Sequence, residues 1–318
     1  MSKNWYEYKE KTSFGYKMMF FVLKVFPAWF MRVMAFGIGF FYWAFDKHTR
    51  RISKNYLLKV EYAMLSDLEN FSSYKIPRST LKHICSFALN LVEKVQSWAG
   101  KFSFKNVQWQ NDDVHDLVNN INSGRGCVIV ISHLGNSQMM MGLASMGESG
   151  TEKKMSITSI IDTDITAGFS KLIQKVNPNA AFHVINSNNI GPDTILLMQE
   201  RLEHGEVVVV AADRISAHAK RNIELQFLEE NAKFPYGIFL LIALLNSPTY
   251  FVNGLRQKDL TLKPKYDMFV KKNPIQFDCS RKEREERIKQ SAENYVKNLE
   301  VLCKRHPYQW YNFFEFWQ

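Results

Sequence analysis

Two stretches, residues 127–131 (CVIVI) and 206–212 (EVVVVAA), constrain the fold of this chain more than anything else in it. Neither alternates apolar with polar side chains. A strand with one wet face alternates; a strand that is apolar on both faces belongs inside a parallel sheet covered by helices on either side. The flanking sequence supplies such helices. Val114, Leu117, Val118 and Ile121 recur at helical spacing before the first run, and Pro192 opens a helix running to about His204 before the second. Strands are expected near 155–161, 181–185 and 248–253, with an extra strand over 222–228 and an opening strand suggested by Phe102, Phe104 and Val107. Helices are expected over 137–147, 165–176, 236–245 and 284–304; in the last, Ile288, Ala292, Tyr295, Val296, Leu299 and Leu302 share one face. Strands alternating with helices predict an α/β fold with a mostly parallel central sheet flanked by helices.

Ahead of residue 100 the pattern is helical, over 48–72 and 78–98, with Leu81, Ile84, Cys85, Leu89 and Val92 in periodic positions. The chain therefore divides into a helical, membrane-associating region, 1–100, and an α/β domain, 101–318. Residues 18–45, MMFFVLKVFPAWFMRVMAFGIGFFYWAF, are too apolar for an exposed helix, and no small-residue cleavage site follows them. Lys24, Pro27 and Arg32 divide them into pieces of about a dozen residues, short of the ~20 needed to cross a bilayer. Lys9, Lys11 and Lys17 precede the stretch; Lys47, Arg50, Arg51 and Lys54 follow it. Positive charge on both sides holds both flanks on the cytoplasmic face. The expected structure is a kinked helical pair dipping into the cytoplasmic leaflet, with Lys24 and Arg32 snorkelling to the head groups. A buried core pair and a tilted single span are the alternatives.

The net charge of +10 suits an anionic partner such as an acidic carrier protein or anionic lipid. No Lys/Arg-rich tail and no nucleic-acid-binding motif is present, which disfavours nucleic acid. Cys85, Cys127, Cys279 and Cys303 form no C-x-x-C pair, so neither a metal nor a redox centre is expected. No cofactor is implied.

The segment Ser132-His133-Leu134-Gly135-Asn136-Ser137-Gln138 follows the buried 127–131 strand directly and precedes a helix. Sites in parallel sheets form where strands end at their carboxyl edge. His133 is therefore the candidate general base. Gly135 allows a tight turn, and Asn136 or Ser137 caps the next helix. A catalytic His needs an orienting partner; Gln138, near the first turn of that helix, is the nearest candidate. Asp213, at the end of the 206–212 strand, is a substitute carboxylate, with an ion pair to Arg214 as its structural alternative. Arg214 and Arg256 follow strands and offer bidentate donors to a phosphate, a surface ion pair being equally open to each. Phe234-Pro235-Tyr236-Gly237 reads as an apolar turn opening a helix. Aromatics from Tyr308 to Trp317 either close an apolar tunnel or sit at the membrane, with some of them packing in the core.

The stretch GRGCVIVISHLGNSQ resembles the His-x4-Asp/Glu block of the lysophospholipid acyltransferase superfamily, nearest the lipid A lauroyl and myristoyl acyltransferase branch and the acyltransferases of aryl-polyene and flexirubin pigment clusters. Residues 212–256, the ending PYQWYNFFEFW and the N-terminal pattern of Trp5, Ser13, Arg50, Arg51, Ile52 and Tyr56 are similar to that family in order and spacing. The resemblance implies acyl transfer at the cytoplasmic face of a bacterial inner membrane. The donor would be an acyl carrier protein or coenzyme A thioester, and the acceptor a hydroxyl of a lipid or lipid-like molecule. His133 would act as base with Gln138 as its partner; Asn136, Asp213, Arg214 and Arg256 would contact substrate, and amides near 136–138 would hold the oxyanion. The family carries Asp or Glu where this chain has Gln138. That departure leaves a catalytically impaired lipid-binding or scaffold relative as the alternative. An acyl hydrolase is disfavoured because no G-x-S-x-G elbow occurs.

Overall fold

The computed structural model describes residues 26–110, 113–145, 147, 150–152, 155–161, 182–216, 219 and 221–317. The expected helix over 165–176, and everything expected before residue 26, lies outside these residues.

Helix α1 (Ala28–Phe45) is followed by α2 (Lys47–Leu65), the short α3 (Leu68–Phe71) and α4 (Thr80–Trp98). Then come β1 (Val107–Trp109), α5 (Asp113–Asn122), β2 (Cys127–Ile131), α6 (Ser137–Ser145), β3 (Ile157–Ile161) and β4 (Phe182–Asn186). The chain continues through α7 (Pro192–Glu203), β5 (Val207–Ala211), β6 (Asn222–Phe227), β7 (Glu230–Pro235) and α8 (Tyr236–Leu245). It ends with β8 (Thr249–Arg256), β9 (Tyr266–Lys272) and α9 (Arg281–Arg305).

The fold is α/β. Seven strands form one sheet in the order β1-β9-β8-β2-β5-β3-β4. Strands β8, β2, β5, β3 and β4 are mutually parallel; β9 runs antiparallel to β8, and β1 follows β9. The two runs without alternation are the adjacent central strands β2 and β5, and both their faces are covered. Val128, Val130, Val208 and Val210 join the larger core with side chains of α2, α7, α8 and α9. Cys127, Ile131, Val207 and Val209 join a second core with α5 and α6. The helices of residues 26–100 share this interior: Tyr56, Leu57 and Val60 of α2 lie in the larger core.

Two local expectations are corrected, and one strand was not foreseen. The Phe234-Pro235 segment is not simply a turn. It ends strand β7, which forms an antiparallel hairpin with β6, and Pro235 is the N-cap of α8. Strand β9 has no counterpart in the sequence reading. Arg32 does not reach outward to head groups. It is buried, donating to the Leu262 carbonyl and Gln96 Oε1, both at 2.8 Å, with Glu93 at 3.8 Å. The cause is α1 lying along α4 with Met31, Arg32, Ala35 and Gly39 inward. Its other faces expose Trp29, Val33, Ile38, Phe40, Phe41 and Phe45.

Candidate active site

The register of the central strands builds the site. Ile131 of β2 pairs with Ala211 of β5. Two residues further on each strand come His133 and Asp213, so pairing places them side by side at the carboxyl edge. From β2 the chain passes to α6 on one face of the sheet; from β5 it passes to β6, β7 and α8 on the other. The gap between two adjacent strands that leave toward opposite faces is where parallel α/β sheets open a crevice.

Gly135 makes the turn after His133 possible. Its φ is +74°, and a Cβ there would run into the Gly254 carbonyl of β8. The close approach lets the Asn136 amide donate to that carbonyl at 2.8 Å. Asn136 is buried and caps α6, its Oδ1 accepting from the Met139 amide at 3.1 Å while its Nδ2 donates to the Asn90 carbonyl. Its side chain is thus committed to the scaffold.

The ring partner of His133 is Asp213, not Gln138. His133 Nδ1 lies 2.8 Å from Asp213 Oδ1, and the His133 backbone N–H donates to Oδ2 at 2.8 Å. Trp310 Nε1 and Asn312 Nδ2 also donate to Oδ2, at 3.0 and 3.4 Å. Burial alone would raise the Asp213 carboxyl. The His133 ring and amide and the Arg214 charge outweigh it and bring it down to about 2. An ionised carboxylate only accepts, so Nδ1 carries the proton and Nε2 keeps its lone pair. Burial and the nearby Arg214 charge hold the imidazole below the ordinary histidine value, Asp213 opposing them. The ring is therefore neutral at pH 7, and its side chain is 32% exposed, facing a cavity.

That cavity, of about 1200 Å³, has two characters. Ile160, Ile195, Leu240, Leu241 and Leu244 give it an apolar lobe between the sheet, α7 and α8. Lys94, His133, Ser137, Gln138, Arg214 and Arg221 make the other side polar and largely basic. Arg214 is braced by Asn312 Oδ1 and the Tyr311 carbonyl and borders the cavity; burial lowers it only to about 10, so it stays cationic.

Arg256 is not available to a substrate phosphate, and its ion pair is not at the surface. It is 1% exposed and donates to Glu93 Oε2 through Nη2 at 2.8 Å and Nε at 3.2 Å. Nη1 donates to Ser86 Oγ at 3.3 Å, and Tyr266 also hydrogen-bonds the same carboxylate. The cause is β9 and α4 closing over the end of β8. Gln138 makes no hydrogen bond to His133, although it lines the same cavity.

The sequence reading missed the C-terminal segment as a structural part of the site. The Gln309 carbonyl accepts from the Gly135 amide, Tyr311 N–H donates to the His133 carbonyl, and Trp310 and Asn312 hold Asp213. His83, fully buried, sits 2.9 Å from the Trp310 carbonyl through Nε2 and 2.9 Å from Ser53 Oγ through Nδ1. A buried Trp requires an acceptor for its indole N–H, and that was the available signal. Among the described residues no group of three or more His, Cys, Asp or Glu is arranged to hold a metal ion. Cys127 is sealed in the core, where burial pushes its thiol up to about 12. No protein-family model matches the chain, and no curated protein does.

Proposed function

We propose that this chain is an acyltransferase that moves a fatty acyl group from a carrier-protein or coenzyme A thioester to a hydroxyl of a lipid-like acceptor at a membrane surface. The observation that carries this reading is the neutral His133, oriented by a fully buried Asp213, at the junction of an apolar lobe and a basic polar wall. Nε2 takes the acceptor's hydroxyl proton as the oxygen attacks the thioester carbonyl. Asp213 stabilises the imidazolium that forms. The carbonyl oxygen becomes an oxyanion, and the first-turn amides of Ser137 and Gln138, which have no acceptor within α6, lie at the helix end suited to it. The Asn136 amide, spent on Gly254, takes no part. Collapse of the intermediate expels the thiolate, which takes the proton back from His133.

The apolar lobe matches an acyl chain, and the basic wall matches the phosphate of a carrier arm or an anionic head group. Helix α1 supports the membrane location: its 18 residues have a mean hydropathy of 1.3 and only 22% of them are buried. Its aromatics and the following Arg50 and Arg51 suit an inner leaflet with anionic lipid, on the cytoplasmic face. The impaired-relative alternative rests on Gln138 lacking charge; Asp213 supplies that charge from another strand, which favours the enzyme reading. The test is incubation of purified protein with dodecanoyl-, tetradecanoyl- and hexadecanoyl-carrier-protein and coenzyme A thioesters plus a bacterial membrane lipid extract, followed by mass spectrometry. An acylated product made by wild type and lost by at least about 10³-fold in His133→Ala supports the reading. Equal yield from a folded His133→Ala protein refutes the mechanism.

A further inference from the structure

Two polar atoms in the cavity wall take no part in holding His133. Ser137 Oγ and Gln138 Oε1 are shielded from solvent and have no hydrogen-bond partner. Ser137 is 5% exposed, and both residues line the cavity that His133 faces. Their neighbours are different. Ser132 Oγ donates to Asn253 Oδ1, Asn136 bonds Asn90 and Met139, and Asp213 accepts from His133, Trp310 and Asn312. A buried polar atom left without a partner is destabilising, and in a binding cavity it marks where a ligand supplies the missing group.

The chemistry of the two oxygens narrows that ligand. An amide carbonyl accepts only, and a serine hydroxyl accepts and donates. An anion would meet an acceptor at Gln138, and a cation would compete with Lys94 and Arg214 on the same wall. A neutral hydroxyl satisfies both. Only Leu134, Gly135 and Asn136 separate Ser137 from His133, and Gly135 folds that link into a tight turn. His133, Ser137 and Gln138 all line the same cavity.

We infer that Ser137 and Gln138 form a subsite for a second, uncharged hydroxyl of the acceptor, adjacent to the one facing His133, so that the site selects polyol-headed amphiphiles over simple alcohols. Which hydroxyl reacts rests on the acyl-transfer reading; the recognition chemistry does not.

The test is calorimetric titration of 1,2-octanediol and 1-octanol into the full chain, as wild type, Gln138→Met and His133→Ala. Methionine keeps the length of the side chain and removes its carbonyl. Wild type is expected to bind the diol about five- to tenfold more tightly, the increment of one neutral hydrogen bond. Gln138→Met, which leaves Ser137 Oγ as the remaining partner, should cut that ratio to about twofold or less while leaving the 1-octanol affinity unchanged. The same diol preference in wild type and Gln138→Met overturns the subsite, as does a wild type with no preference or no binding of either alcohol. Neither titration involves turnover. A diol preference retained in His133→Ala, with no acyl transfer by wild type, would retire the acyltransferase reading and leave the subsite standing.

Discussion

Replacing Asp213 with asparagine removes the charge on which the site is built, and its cost follows from the structure. The carboxylate is fully buried and accepts from His133 Nδ1, the His133 amide, Trp310 and Asn312. Its pKa falls from 3.8 in the ordinary state to about 2 in the fold. The difference, somewhat under 2 pH units at ~1.4 kcal/mol each, is about 2.5 kcal/mol of stability. A depressed carboxyl stabilises the fold fully above its unfolded pKa and loses that contribution as pH falls through its folded pKa. The contribution is therefore complete at pH 7, about half gone at pH 3 and lost below 2. An asparagine amide would also turn its own N–H toward a donor, adding ~1–3 kcal/mol for the group left unsatisfied. Urea unfolding at pH 7, 5, 4 and 3, followed by circular dichroism, should show Asp213→Asn destabilised by about 3.5–5.5 kcal/mol at pH 7, with the gap narrowing toward pH 3. A gap under about 1 kcal/mol, or one that stays constant across this range, would refute the assignment of Asp213 as the buried charged partner.

Other outcomes follow from the same geometry. Trp310→Phe keeps the ring and deletes one donor to Asp213. It should cost about 1–2 kcal/mol and raise the His133 pKa, read by imidazole nitrogen NMR, because a less satisfied carboxylate holds the imidazolium more strongly. Burial brings His83 from 6.5 to about 4 against the opposing hydrogen bond to the Trp310 carbonyl. The unfolded chain then binds a proton that the fold refuses, so stability should fall by about 3 kcal/mol as pH drops from 6.5 to 4. His83→Leu should flatten that limb of the urea series. Arg256→Ala strands Glu93 in the core and should cost about 3–5 kcal/mol in unfolding experiments; a variant of normal stability with weakened donor binding would restore Arg256 as a substrate contact.

His133 was legible because three local signals coincide: a strand apolar on both faces, a histidine just past its end, and a glycine suited to the turn. The layered architecture was legible for the same reason, since periodicity records how many faces of an element are covered. The hairpin of β6 and β7 was not. Its turn residues, Leu228 and Glu229, adopt φ of 53° and 66° without the Gly or Asn that usually announces such a turn. The conformation is held by burial of Leu228 and by its amide donating to Glu300 Oε2 at 2.8 Å.

The same division runs through the site. The chain itself determined that a histidine stands at a buried strand's carboxyl end; by closeness in sequence it put Gln138 first as the ring's partner, with Asp213 as a substitute carboxylate. Only the pairing of β2 with β5 decided for Asp213, because strand register brings together residues 80 positions apart, whereas Gln138, five positions on across a turn and into a helix, makes no hydrogen bond to the ring. Arg256 and Arg32 make the same point in reverse. Each has a local sequence that reads as outward-facing. Each is drawn inward by Glu93 of α4, a charge whose place beside them exists only once the helices have packed on the sheet.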